Sequence, residues 1–218
     1  MVMKTVIAGF MKLSTPTVSD ALDKLRIRCG CEGLIPITFG KKIVGPAFTV
    51  RFAAKDQAPP LVGDYIDDVK EGQVVVIDNR GRTDCTVWGD ILTWMAVSRK
   101  IAGTVIDGVC RDVDGIRELD YPMFARGHFM VTGKDRVTLE SVNEKIIICN
   151  VRVSPGDLIM GDQSGVLVIP QEKAEEVLKL AQEIEKAESG IVNAIKKGSS
   201  LKKAREKFNY ATLQRPTS

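Results

Sequence analysis

The chain has 218 residues, with 31 Lys or Arg against 28 Asp or Glu, and 44% of it is hydrophobic. These values exclude a disordered segment, a collagen-like fibre and a disulfide-stapled miniprotein, and the length fits one large domain or two small ones. Aromatics make up only 6%, so the core rests on Val, Ile, Leu and Ala, and nothing in the composition demands a nucleic-acid partner.

Residues 1–10 carry Lys4, and their short apolar stretch is broken by Lys12 and a run of hydroxyls, a poor match to a secretory signal. No stretch reaches about 18 apolar residues, so no membrane span is expected. The five cysteines, Cys29, Cys31, Cys85, Cys110 and Cys149, are odd in number and scattered. They read as free thiols of a reducing compartment, with the cytoplasm as the expected location. Cys29-x-Cys31 lacks a second pair at zinc-ligand spacing and reads the same way.

Residues 17–26 predict a helix, with Thr17 as its cap, Pro16 ahead of its start, and Val18, Ala21, Leu22 and Leu25 at three-and-four spacing. Residues 43–54 predict a strand through Val44, Phe48, Val50 and Phe52, with Pro46 placing it at an edge or delaying its ladder by a residue or two. Residues 61–69 have the spacing of a short helix. The continuous run Val74, Val75, Val76, Ile77 predicts a strand buried on both faces, ending in the polar stretch 78–84. A helix follows over residues 88–99, with Ile91, Leu92, Met95 and Ala96 on one stripe.

A second apolar strand, 103–107, also ends in a polar loop, 108–112, before a short helix over 114–119 that stops near Pro122. This repeated order predicts an α/β unit with parallel strands, whose ligands collect beyond the carboxyl ends of the strands. Further on, residues 129–132, 146–153, 158–160 and 166–169 predict short strands joined as hairpins. A long helix over 171–195 and a short one over 201–208 close the chain, with a mixed, solvated charge pattern. The expected division is an α/β catalytic domain over 1–170 and a helical extension over 171–218, packed on the same domain or on a neighbouring subunit.

The chain has no G-x-G-x-x-G after the first strand, no Walker A loop and no Gly-x-Ser-x-Gly elbow. Its single histidine, His128, leaves no His-pair zinc site and no internal Ser-His-Asp relay, and reads as structural or incidental. What remains is charge clustered at two strand ends: Asp78, Arg82 and Asp84 at one, Asp107, Arg111 and Asp112 at the other. If parallel strands bring these loops together, carboxylates and guanidinium groups face one cleft.

Asp112 with bound waters suits a hard divalent cation, and the planar fork of Arg111 suits a carboxylate or enolate oxygen. The helix start at Trp88-Gly89-Asp90-Ile91-Leu92 offers backbone N–H groups to a small carboxylate, and Gly89 permits close approach. The plainer alternative stays open: Arg111 and Asp112 form a turn ion pair, and Gly89 only begins a helix.

Four stretches in order, STPTVSDAL at 14–22, DNRGRTDCTVWGDIL at 78–92, GTVIDGVCRD at 103–112 and GDQSGVLVIP at 161–170, carry a resemblance. They are similar to the family that joins 4-hydroxy-4-methyl-2-oxoglutarate aldolase with the RraA-like proteins, named as regulators of ribonuclease E activity. The resemblance implies an RraA-like swivelling β/β/α domain, an α/β fold with a central mixed sheet flanked by helices. It also implies homotrimers or a dimer of trimers, with sites near subunit boundaries.

In the implied site, Gly89, Asp90, Ile91 and Leu92 seat the pyruvyl carboxylate and Arg111 contacts the keto or enolate oxygen. Asp112 anchors a divalent metal, Mg²⁺ first and Mn²⁺ second. The family usually carries Glu where this chain has Asp90, which shortens that side chain's reach.

The implied reaction is metal-dependent, class II retro-aldol cleavage of 4-hydroxy-4-methyl-2-oxoglutarate, or a related 4-hydroxy-2-oxo acid, to pyruvate. Metal-bound water relayed through Asp90 or Asp112 is the implied base, and oxaloacetate decarboxylation is an expected side activity. A Schiff-base aldolase needs a desolvated lysine, whereas Lys55, Lys134 and Lys145 stand in polar turns. The alternative function is an RraA-like protein that regulates a ribonuclease by binding it, without turnover.

Overall fold

A computed structural model describes residues 2–54 and 63–210. Two compact units emerge, Met1–Cys29 with Glu172–Ser218, and Gly30–Gln171. In the first, α1 (Val2–Phe10) is followed by α2 (Thr15–Lys24). The second helix begins two residues earlier than its apolar spacing suggested, and its cap is Ser14, whose Oγ accepts the Thr17 N–H at 3.2 Å. Pro16 lies inside the first turn, where the N–H it lacks would have had no helical partner.

The second unit opens with β1 (Ile35–Pro36), β2 (Ile43–Ala54), β3 (Val74–Thr86), α3 (Asp90–Ser98), β4 (Gly103–Cys110), α4 (Val113–Glu118) and β5 (Met123–His128). It continues with β6 (Val137–Val142), β7 (Ile146–Ile148), β8 (Val151–Val153), β9 (Leu158–Asp162) and β10 (Gly165–Ile169). A single 3₁₀ turn at Asp64–Asp68 stands where a helix over 61–69 was expected; residues 61 and 62 lie outside the described residues.

The main sheet has the order β1-β5-β4-β3-β2-β9-β10, with β6 paired to the far end of β2. Strands β2 to β5 run parallel, while β1, β6, β9 and β10 are antiparallel to their neighbours, so the sheet is mixed. Side-chain alternation buries both faces. Val75, Ile77, Ile106, Met123 and Ala125 join one core with Trp88 and Tyr121. Val74, Val76, Val105 and Phe124 join the other with Ile43, Ile146 and Val168. This arrangement explains why β3 opens as an unbroken apolar run. Pro46, which donates no N–H, pairs in register with Leu158 of β9, and the β2–β3 ladder starts at the next residue, Ala47.

Two polar stretches read as loops are continued strand. β4 runs to Cys110, and β3 runs on to Thr86. Arg80 and Gly81, at φ 55° and 69°, fold β3 into a tight excursion, after which Arg82 and Thr86 rejoin β4 opposite Gly108 and Val109. Backbone pairing holds these residues in the sheet without apolar side chains. The strand expected over 129–132 is instead one bridge, Thr86 to Thr132, and β5 lies before it, starting directly after Pro122. Strands β7 and β8 meet at Cys149 and Asn150, both left-handed at φ 49° and 62°, the turn that matches right-handed strand twist.

In the helical unit, α5 (Ala174–Lys196) buries Val177, Ala181, Ile184 and Ile191, and α6 (Leu201–Lys207) is capped by Ser200. Both α1 and α2 pack against α5, so residues 1–29, expected within a 1–170 domain, group with the C-terminal helices. The apolar stripe of α2, Val18, Ala21 and Leu22, is buried, and α2 packs against α5. Among the described residues no helix is long and apolar enough to cross a membrane.

Candidate active site

The two candidate segments leave the carboxyl ends of neighbouring parallel strands, and the peptide of Trp88 ties them together. Its carbonyl accepts the Arg111 N–H at 3.0 Å, and its N–H donates to Thr86 Oγ at 3.2 Å. The Thr86 hydroxyl lies 2.9 Å from both the Trp88 and the Val109 carbonyl oxygens. The buried Trp88 ring stacks on Tyr121, with centroids 6.2 Å apart and planes 5° from parallel. Trp88 Nε1 donates to Thr93 Oγ at 2.9 Å, and Thr93 Oγ donates to the Gly89 carbonyl at 2.8 Å.

That relay fixes the Gly89 peptide and hence the direction of the N–H groups that open α3. Thr93→Val keeps the shape and removes the hydroxyl. It is expected to raise the KM for an oxo acid several-fold with a smaller change in kcat, while Thr93→Ser restores the wild-type value. Equal kinetics for the Val and Ser variants would show that the relay does not position the seat.

Gly89 caps α3 in an extended conformation, φ −149°, which any residue can adopt. Space is what requires glycine here, since a Cβ would overlap Asp112 Oδ2 and stand 3.2 Å from Arg111 Nε. Asp112 is left-handed, φ 56° and ψ 41°, and so turns back toward α3. Its Oδ2 accepts the Asp90 N–H at 3.2 Å and lies 3.3 Å from Arg111 Nε, with both side chains more than a third exposed. Asp90 Oδ1 accepts the Ile91 N–H at 2.8 Å. Two of the amides expected to seat a substrate carboxylate therefore hold carboxylates of the protein itself, as the positive end of a helix favours.

The segments line one cleft of about 420 Å³, to which Gly89, Asp90, Ile91, Leu92 and Arg111 all contribute. Asp112 supports that lining through Gly89 and Asp90. Thr132, Gly133 and Lys134 also line the cleft. Sequence reasoning left Lys134 in a polar turn, and its only pointer to the site was Gly133, a glycine beside a charged residue with no partner in the motif.

The other clustered charges are engaged elsewhere. Buried Asp78 meets Arg51 Nε at 3.1 Å and accepts the Arg80 N–H at 2.9 Å. Buried Asp107 meets Arg126 and accepts the Cys149 N–H at 2.8 Å. Arg82 grips Asp84 with two bonds, 2.9 and 2.8 Å, which hold that carboxyl down at about 2. None of these four carboxylates and guanidinium groups lines the cleft, and neither does the exposed His128. Burial pushes the Cys110 thiol, next to Arg111, up to about 12. Burial likewise lifts Cys29 to about 11.

Among the described residues no three His, Cys, Asp or Glu side chains cluster as a metal cage. Asp112 Oδ1 and Asp90 Oδ2 have no hydrogen-bond partner among the described residues. Two carboxylate oxygens with water make the sparse, hard donor set that Mg²⁺ accepts, so the residues present fit such an ion.

The start of α3 and Arg111 thus line one cleft at the parallel strand ends of an open α/β sheet, with Asp112 bonded to the Asp90 N–H beside it. The RraA-like family model, Aldolase/RraA, matches residues 15–168, and the chain belongs to this family. It is 37% identical to a Halalkalibacterium halodurans protein named "Putative 4-hydroxy-4-methyl-2-oxoglutarate aldolase", over 81% of each chain. It is 39% identical to Protein DlpA of Legionella pneumophila over 95% of its own length, and spans 34% of that larger protein. Among solved structures it resembles Streptomyces coelicolor RraAS2, titled an unusual member of the RNase ES inhibitor RraA protein family. The TM-score there is 0.78 at 27% identity, covering 85% of this chain and 94% of that one.

Proposed function

We propose that this protein is a carbon–carbon lyase that cleaves 4-hydroxy-4-methyl-2-oxoglutarate, or a related 4-hydroxy-2-oxo acid, to pyruvate, with Mg²⁺ or Mn²⁺ as cofactor. The observation that carries this reading is the convergence of Gly89, Arg111 and Asp112. Glycine at the cap lets the Asp112 carboxylate close on the Asp90 N–H of the helix start, with Arg111 beside it in the cleft lining.

The substrate's 1-carboxylate takes the place of the Asp90 carboxyl on the Ile91 N–H, and the guanidinium fork of Arg111 meets the 2-oxo oxygen. As the bond between C3 and C4 breaks, its electron pair becomes the enolate of pyruvate, and the fixed charge of Arg111 stabilises the oxygen that gains it. Asp90, released from Ile91, takes up the proton of the C4 hydroxyl and returns it to C3 of the enolate, which leaves as pyruvate. Asp112 and Asp90 would hold the cation, which when bound supplies further Lewis-acid stabilisation of the same oxygen. Oxaloacetate yields the same enolate on losing CO₂, so decarboxylation is an expected side activity.

Pyruvate release from a panel of 4-hydroxy-2-oxo acids tests the proposal. Release is expected to stop on adding a chelator and to return with Mg²⁺ or Mn²⁺. Failure of the wild-type protein to release pyruvate from any of them would overturn it, as a ribonuclease-binding regulator without turnover would require. A covalent adduct trapped by borohydride with pyruvate would overturn the metal-dependent mechanism.

A homotrimer, or a dimer of trimers, completes the proposal. Ile91, Trp94 and Met95 form one face of α3 beside the cleft, and Ile91 and Trp94 are 77% and 63% exposed. Apolar area of that kind supports cover by a neighbouring copy. Trp94→Glu is expected to dissociate the oligomer in light-scattering measurements, and a monomeric wild-type protein would exclude this assembly. Five buried cysteines, none of them in a disulfide, support a cytoplasmic location.

A further inference from the structure

Besides the α3 start, the cleft is lined by Thr132, Gly133 and Lys134, in a segment that belongs to no strand or helix and is nonetheless held in place. Val131 O accepts the Thr86 N–H at 2.9 Å, and Gly133 O accepts from Arg136 N–H at 2.9 Å and Val137 N–H at 3.0 Å. Arg136 Nη1 braces the segment by donating to Thr132 O at 3.2 Å. A Cβ at Gly133 would overlap the Thr86 carbonyl oxygen, so only glycine lets the segment approach the end of β3 this closely. The residue delivered to the cleft wall by this packing is Lys134.

The titratable side chains lining the cleft are Asp90, Arg111 and Lys134. Asp90 is occupied by Ile91 N–H, and Arg111 stands against Asp112. Lys134 makes no ion pair among the described residues, and the rest of the lining includes the apolar Val87, Ile91 and Leu92. A cation on a braced segment, lining the same partly apolar cleft as the α3 start and Arg111, matches a ligand with an anionic group at each end.

We infer that Lys134 binds the distal carboxylate of the substrate and makes the site selective for 2-oxo diacids over monoacids. This rests on the oxo-acid reading of the cleft given above. Lys134 is solvent-exposed rather than enclosed by apolar side chains, a setting for charge recognition and not for Schiff-base chemistry.

The test compares binding of 2-oxoglutarate with that of 2-oxopentanoate, which has the same chain length and lacks the second carboxylate. Titration calorimetry of the wild-type protein is expected to favour the diacid by about tenfold or more, the scale of one charge-assisted contact. Lys134→Met is expected to bring the ratio close to one, and Lys134→Arg to keep most of it. A general structural defect lowers both affinities and leaves their ratio, which is why the ratio is read. Equal affinity in the wild-type protein, no binding of either acid, an unchanged ratio in Lys134→Met, or a borohydride adduct on Lys134 would each overturn the assignment.

Pyruvate release is scored separately. Loss of diacid preference in Lys134→Met without turnover of any hydroxy-oxo acid leaves the assignment standing and removes the lyase. Turnover with an undiminished preference does the reverse.

Discussion

Arg111→Ala is expected to lower pyruvate release by about a hundredfold to a thousandfold, the usual cost of removing one donor aimed at a developing oxyanion. Stability should hardly change. The pair between Arg111 Nε and Asp112 Oδ2 is 3.3 Å long and its side chains are 38% and 37% exposed, so its contribution is about 0.2–1 kcal/mol. For a chain of this size that is a shift of at most about 4 °C in the melting temperature.

The companion variant is Asp112→Asn. Asparagine tolerates the left-handed backbone at 112 and retains an oxygen for the Asp90 N–H, so it removes the charge with little other change. A comparable loss of turnover is expected, recovered in part at high Mg²⁺ or Mn²⁺ concentration. If Arg111 and Asp112 only close a turn, both results invert: turnover survives and the melting temperature falls. Circular dichroism melts and the pyruvate assay on the same preparations separate the two.

Gly89→Ala is the second large effect. The new methyl meets Asp112 Oδ2 and, within 3.4 Å, Arg111 Nε and Cγ, so both charged side chains must move together. The backbone angles at 89 suit alanine, and therefore the cost is steric, about 1–3 kcal/mol of stability. Activity should fall further than stability, by about a hundredfold, because a displacement near 1 Å in groups that position a reacting centre is enough for that. Wild-type turnover in this variant would mean that the close approach of Asp112 to the α3 start has no part in the chemistry.

The unequal success of reading the sequence follows from what each residue's role depends on. Val74 to Ile77 announced a strand covered on both sides because burial on two faces leaves no room for alternation. Pro46 marked the start of a ladder through the N–H it lacks. Asp78 and Asp107 carry the same local signature as Asp112, an acid at the end of an apolar strand. Whether each is spent on a neighbour depends on Arg51 and Arg126, which reach them from other strands. No spacing rule contains that information. The strands β5 and β6 were missed for a related reason, since each draws its order from a partner already in the sheet rather than from a strong pattern of its own.

The sequence by itself determined the α/β order and singled out Gly89, Asp90, Arg111 and Asp112 at two strand ends as the candidates, because these rest on local chemistry and short motifs. Only the tertiary structure decided that α3 opens onto two carboxylates of its own unit. It alone decided that four of the six clustered charges, Asp78, Arg82, Asp84 and Asp107, are engaged away from the cleft. It also brought Lys134 into the lining of the same cleft, through one backbone bond to Thr86 and a glycine with no room for a side chain. Contacts between residues some 45 positions apart depend on how the sheet is assembled, and no stretch of chain read alone encodes them.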